Sequence, residues 1–337
     1  TLSCPQVQQG EVSAEPQAFE FAVKMQRFDP DDLLAQRLES GRGNSEESSE
    51  ASGELESIAE DLAEQVAAFH REAEPAGSGT AFGSVAAAWE PIEENFKQIA
   101  PLLADSGDQA ELAQLQDQMR QAHGRLSSTI ARRKQQGFVR ACHGDLHGGN
   151  IALIDGRPVP FDCIEFNDNL RYIDVASDLA FLLMDLHHHR RGDLANRVLN
   201  TYLAHSGDYA LLPLLPHYQA YRAMVRAKVG LLRLQQVDRG DHDQVQAIYR
   251  DYRQHIRLAL SFTSRARPFL ALMHGVSGSG KSTVARRLCA GAGALHLRSD
   301  VERKRLYGLA PEHSSAAVPG GIYTREASER TFERLQQ

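Results

Sequence analysis

The sequence predicts an α/β protein of two domains, and three observations carry that expectation. Most of the first 262 residues place apolar side chains at helical spacing, interrupted near 138–166 by short extended runs around turns. Residues 269–273, "FLALM", form an apolar run leading straight into a glycine-rich loop and then a helical segment, the order of a parallel α/β unit. Between the two lies the short polar linker "SFTSRARP". With 337 residues and 42% apolar content the chain can bury a core in each part. The expected boundaries are 1–262 for the first domain, 263–268 for the linker and 269–337 for the second.

Composition narrows the function classes. Charged residues make up 24% and the net charge is −7, which disfavours a general binder of nucleic acid or of anionic membranes. No apolar run approaches the ~20 residues that span a bilayer, and the N-terminus lacks the basic-then-apolar pattern of a secretion signal. Cys4, Cys142, Cys163 and Cys289 have no C-x-x-C spacing, so free thiols in a reducing, cytoplasmic compartment are expected. The chain opens on Thr1 and stops at Gln337 inside a helical-looking run, and it reads as a piece of something longer.

Along the chain, residues 18–25 ("AFEFAVKM") alternate as a strand, "RFDPDD" breaks it, and "LLAQRL" starts a helix. Residues 40–53, "SGRGNSEESSEASG", offer nothing to a core and predict a mobile surface loop. Leu55, Ile58, Leu62, Val66 and Phe69 form a helical stripe ending near His70. "AEPAGSGTAFGS" is loop, and helices are expected at 90–103 and 108–133. "GFVRACHG" and "NIALIDGRPVPFDCIEF" predict short strands, with Asp155–Gly156 as a hairpin turn. Helical patterns resume at 173–188, 193–206, 213–236 and 242–262, and "ALHLRSD" predicts a strand ending in Asp300. In "DLHHHRRGD" three successive His point about 100° apart around a helix and cannot converge on one ion unaided, which predicts a solvated helix end.

The first stretch with evident chemistry is "CHGDLHGGNI" at 142–151. Phosphoryl transfer needs an acceptor for a hydroxyl proton and oxygen ligands for magnesium, and little further covalent chemistry. Asp145, followed five residues later by Asn150, supplies one of each. Asp162 in "VPFDCIEF" adds a second carboxylate; such hard oxygen donors suit magnesium and leave places for phosphate oxygens. Cys142 and Cys163 read as small apolar fillers of strand ends, and His147 reads equally as a packing or a functional residue.

"HGDLHGGN", with the downstream "FDCIEF" and "RYIDVASDLA", resembles the aminoglycoside phosphotransferase-like kinases, relatives of choline kinase and more distantly of protein kinases. The resemblance implies an α+β, protein-kinase-like domain, here mostly its helical large lobe, that uses ATP and Mg2+. It implies Asp145 as catalytic base, Asn150 as a magnesium ligand and Asp162 as the principal one. His143 would be a structural member of the catalytic loop, and Asp174 the carboxylate that braces it. "FAVKM" at 21–25 resembles the kinase strand that carries the ATP-pairing lysine. It runs at once into "RFDPDDLL", which resembles the hinge between lobes. Lys24 is therefore set aside, and that lysine, with most of the small lobe, is expected upstream of Thr1.

Gly275-x-x-x-x-Gly280-Lys281-Ser282 is the phosphate-binding P-loop pattern. The backbone of Gly275, Ser277, Gly278, Ser279 and Gly280 is suited to wrapping nucleotide phosphates at a helix N-terminus, and Lys281 to reaching the terminal ones. Ser282 would ligate magnesium, with Thr283 following in the first turn. The pair Asp300-x-x-Arg303 resembles P-loop small-molecule and polynucleotide kinases, which implies that Asp300 activates the acceptor hydroxyl and Arg303 holds substrate. The domain order, with "RSDVERKRLYG", "GGIYTREASERTF" and "PFDCIEFN", resembles a bacterial two-domain family of predicted kinases, the second domain being the start of a P-loop parallel-sheet fold. The expectation is an ATP-dependent kinase of an unidentified small-molecule hydroxyl, with a second ATP site. Two other readings stand beside it: a non-catalytic ATP-binding regulatory or scaffold protein, and a P-loop polynucleotide-end kinase with an accessory domain.

Overall fold

The computed structural model describes residues 28–40, 49–237, 241–264, 269–276, 278–318 and 321–336. The predicted strand at 18–25 with Lys24, the loop residues 41–48, the linker residues 265–268, and Ser277 lie outside the described residues.

Helices α1 (Leu34–Ser40), α2 (Ser49–Glu72), α3 (Val85–Ile99) and α4 (Ser106–Gln135) come first. The last two begin where a side chain caps them: Ser84 Oγ accepts the Ala87 N–H, and Asp105 accepts those of Gly107 and Asp108. The described part of the predicted loop 40–53 is corrected at its end, because residues 49–53 already belong to α2. Strand β1 (Val139–Ala141) pairs antiparallel with β4 (Tyr172–Asp174), which follows the short helix α5 (Asp168–Arg171). Strands β2 (Ile151–Ile154) and β3 (Arg157–Pro160) form the predicted hairpin, in the register Ile151↔Pro160 to Ile154↔Arg157. Its turn residues Asp155 and Gly156 both take positive φ, 50° and 73°, as a two-residue hairpin turn requires. Five helices complete this part or begin the next: α6 (Val175–His188), α7 (Gly192–Ser206), α8 (Leu215–Leu232), α9 (His242–Thr263) and α10 (Lys281–Ala292). Helices α11 (Ser299–Leu306) and α12 (Arg325–Gln336) close the chain.

Helix α6 is buried along almost its whole length because it separates two apolar clusters. Leu179 and Leu182 pack with Leu62 and Val66 of α2 and Val198 of α7. Phe181 and Met184 pack with Phe96 of α3, Met119 of α4, Met224 of α8 and Ile256 of α9. Its C-terminal end is not the solvated end that the His run suggests. The His188 ring stacks on His255 of α9, centroids 4.0 Å apart, and His189 is buried. Helix α9 covers that end, a contact that spacing within α6 cannot reveal.

The predicted strands at 269–273 and 294–300 are absent: residues 269–273 and 294–298 are irregular, and Asp300, expected to end the second strand, lies in the first turn of α11. Leu270 and Leu272 are each 84% exposed. A parallel strand needs neighbours to pair its backbone and cover its faces, and among the described residues no strand lies beside either run. The C-terminal segment instead leans on the rest through helices. Asn196 and Asn200 of α7 donate to the carbonyls of Ala290 (3.0 Å) and Ala294 (3.1 Å). Buried Glu302 of α11 accepts from Tyr209, Arg305 and Arg334. Arg305 also donates to the carbonyl of Ala204 in the last turn of α7 and to that of Leu203, which already accepts the Gly207 N–H.

Arg133 of α4 ties the strands to the helices. Fully buried, it donates two bonds to Asp174 (2.8 and 2.9 Å) and two to Asp208 (2.7 and 2.8 Å). Removing it strands two carboxylates in the interior. Arg133→Ala should therefore lower unfolding stability by about 3–5 kcal/mol in urea denaturation. A loss below about 1 kcal/mol would show that water reaches these carboxylates in the folded protein.

Candidate active site

The loop 142–150 leaves β1 and returns in β2, and its shape follows from buried acids on α6. Asp178 accepts the N–H of His143 at 3.1 Å and of Gly144 at 2.8 Å, and its Oδ2 also lies 3.1 Å from His70 Nε2. Asp185, two turns on, accepts the Gly148 N–H at 2.8 Å. Arg222 of α8 donates to the Gly144 carbonyl at 2.9 Å and to that of Ser177 at 3.2 Å. Gly144 has φ 83°, and a Cβ there would sit 2.8 Å from the Leu170 carbonyl, so only glycine fits.

The histidines lock in defined tautomers. His143 Nδ1 accepts the Asp145 N–H at 3.3 Å, so its Nε2 carries the proton and donates to the Phe161 carbonyl at 2.9 Å. His147 Nδ1 likewise accepts the Gly149 N–H at 3.0 Å, which places its Nε2–H against Asp145 Oδ2 at 3.5 Å. Arg226 approaches the same Nε2 at 3.3 Å. Asn150 Nδ2 donates to Asp145 Oδ2 at 2.9 Å and to the Asp145 carbonyl at 3.0 Å. Burial pushes the half-buried Asp145 carboxyl up. The His147 hydrogen bond, the Arg222 charge and the Asn150 amide outweigh burial and hold it below the ordinary carboxylate range.

The loop thus brings Asp145, His143 and Asn150 together. Asp162 stands one residue past the open end of the β2–β3 hairpin, where the Phe161 N–H donates to the Asn150 carbonyl at 3.0 Å. Its backbone is left-handed, φ 60°, and its side chain is exposed. The brace expected of Asp174 falls elsewhere. Asp174 is taken by Arg133 and by capping α6 through the Ala176 N–H, while Asp178 holds the loop. Sequence reasoning missed Asp178, Asp185, His70 and Arg222. A signal was present: Asp178 and Asp185 interrupt an otherwise apolar helix, and a buried carboxylate must find partners. Cys142 donates to the Ile173 carbonyl, and burial with the nearby Asp178 charge pushes its thiol well up, as suits a filler.

In the second motif Gly275, Gly278 and Gly280 have φ of 146°, 79° and 80°, and α10 starts directly after Gly280. Lys281 Nζ folds back to donate to the carbonyls of Gly275 (2.7 Å) and Val276 (2.5 Å). Ser279 Oγ lies 3.5 Å from the same ammonium, and Ser282 and Thr283 are exposed in the first turn. Asp300 accepts from Tyr323 at 2.7 Å, and the Arg303 guanidinium lies over the same ring, 5.0 Å from its centroid. Arg303 Nε is buried with no hydrogen-bond partner among the described residues.

The acid brace makes a pH prediction. Burial pushes the Asp178 carboxyl up, but its His70 partner and the Arg222 charge hold it below the ordinary value. Its contribution to stability is therefore complete above the unfolded-state pKa of about 3.9 and is lost as pH falls through the lower folded value. The stability gap between wild type and Asp178→Asn should be widest near neutrality and narrow below about pH 4, measured by urea melts across pH. A gap independent of pH would assign the acid sensitivity to other carboxylates.

Comparison with known proteins agrees with this geometry. A model described as the phosphotransferase enzyme family matches residues 28–223, and one described as an AAA domain matches residues 270–337. Over 197 residues the chain is 38% identical to uncharacterized proteins of Mycobacterium tuberculosis and Mycobacterium bovis. The match covers 58% of this chain but 38% of each relative. Among the described residues no helix is long and apolar enough to cross a membrane. The braced loop and hairpin lie within the first match and the glycine-rich turn within the second: the chain belongs to the phosphotransferase enzyme family and carries an AAA domain behind its phosphotransferase domain.

Proposed function

We propose that the protein is a cytoplasmic, ATP-dependent kinase that transfers the γ-phosphoryl group to a hydroxyl of a small molecule, and that its AAA domain holds a second ATP. The observation that supports this best is Asp145: an anionic, half-exposed carboxylate fixed 2.9 Å from the Asn150 amide. In this reading Asp145 takes the proton of the acceptor hydroxyl. His147, whose Nε2–H faces the same carboxylate, orients it and keeps it ionised until the acceptor arrives. His143 shapes the loop from behind.

The donor set fits magnesium. Asn150 spends its Nδ2 on Asp145, which leaves its amide oxygen as a hard donor, and exposed Asp162 adds a carboxylate. Magnesium bound there would neutralise charge on the transferring phosphoryl group. The second motif fits a nucleotide by its own chemistry. Its glycines keep backbone N–H groups uncovered, and Lys281 is held over the loop only by carbonyls that ATP phosphates would outcompete. Ser282 would serve magnesium there, and Asp300 and Arg303 would meet an acceptor.

Asp145→Asn in the whole protein should lower phosphotransfer by the first domain roughly 10²–10⁴-fold while ATP binding survives. Unchanged turnover would favour a regulatory or scaffold role. Lys281→Ala should take two ATP equivalents to one in calorimetry. A single equivalent in the wild type, abolished by that change, would mean the first domain binds no ATP.

A further inference from the structure

A cavity of about 390 Å³ lies between α7 and the AAA domain, within the roughly 300–1,000 Å³ of small-molecule sites. Its α7 wall carries Thr201 and the asparagines 196 and 200, whose side-chain amides close the seam on the carbonyls of Ala290 and Ala294. The facing wall carries Arg286 and Cys289 of α10, His296, and Arg298 just before α11. His296 is fixed there through its N–H, which donates to Asn200 Oδ1 at 2.6 Å.

The charges in this space do not cancel locally. On the α7 side Arg197 is consumed by Glu56 (2.5 Å) and Glu60 (2.6 Å), and His205 pairs with Glu64 at 3.3 Å. On the AAA side Arg286 and Arg298 form no ion pair among the described residues. Both lie close enough to His296 that, after burial, their charges press its imidazolium down. The remaining carboxylate of the lining, Glu312, is exposed and lies 4.0 Å from His313. Two forked guanidiniums lining a half-open cavity are matched by an oxyanion with several acceptor oxygens, and phosphate takes such forks in bidentate fashion. We propose that this cavity binds a small phosphate-bearing molecule, its phosphate held by Arg286 and Arg298 and its remainder against the Thr201 wall of α7. The site is separate from the Asp145 loop and from the glycine-rich turn, and its ligand touches both domains.

The test uses inorganic phosphate, titrated calorimetrically into the whole protein carrying Lys281→Ala, which removes the charged contact of the glycine-rich turn. A phosphate site should persist in that protein. Adding Arg286→Gln and Arg298→Gln should weaken it roughly tenfold or more, the scale of one charge-assisted hydrogen bond. The melting temperature should hold, since both side chains are exposed and form no ion pair among the described residues. Thr201→Phe fills the wall assigned to the ligand's remainder with both arginines in place, so it should weaken a phosphate monoester such as glycerol phosphate while inorganic phosphate stays bound. Full affinity for glycerol phosphate in Thr201→Phe would show that the arginines merely attract anions at an open surface, and would overturn the proposal. So would an absence of phosphate binding in the Lys281→Ala protein, or binding indifferent to the arginine changes.

Discussion

A carboxylate with no access to water must have every partner in place, and Asp178 is such a carboxylate. It is fully buried, and two backbone amides of the loop together with His70 converge on it. Losing one of them would leave charge exposed to an apolar interior, at a cost well above that of a surface contact. The loop is therefore as fixed as the helix beneath it. Helix α6 is fixed in turn because it separates two cores and cannot move without disturbing both. Asp145 and Asn150 inherit their spacing from this arrangement, so the precision of the site originates in packing.

What the sequence made legible is what local physics determines. Helical periodicity located most of the helices, and the Asp155–Gly156 turn fixed the hairpin and its register. The spacing from Asp145 to Asn150 marked the loop, because both act within one turn of backbone. Features set by distant segments were not legible. Asp174 and Asp178 are a helical turn apart, and only the positions of Arg133 and His143 decide which braces the loop. His188 reads as solvated until α9 is laid across it. The apolar runs around 270 and 296 match a strand in composition, yet a strand is a property of a pair.

Glycine and arginine share the work at the junction of the two domains. Gly207 ends α7 in a left-handed turn, and a Cβ there would lie 2.7 Å from the Arg305 guanidinium. The absence of that carbon lets Arg305 reach two carbonyls of α7 and still grip Glu302. The junction is thus built largely from polar groups satisfied in pairs rather than from a shared apolar core.

Glu302 gives this junction an unusual bearing on proteolysis. It is almost fully buried, and one of its three partners, Tyr209, belongs to the phosphotransferase domain. Cleavage of the peptide between residues 264 and 269 would cut the covalent link but leave this carboxylate, the Arg305 contacts and the asparagine seam intact. The two fragments would then stay together as a nicked complex, comigrating on a sizing column and separating only in denaturant.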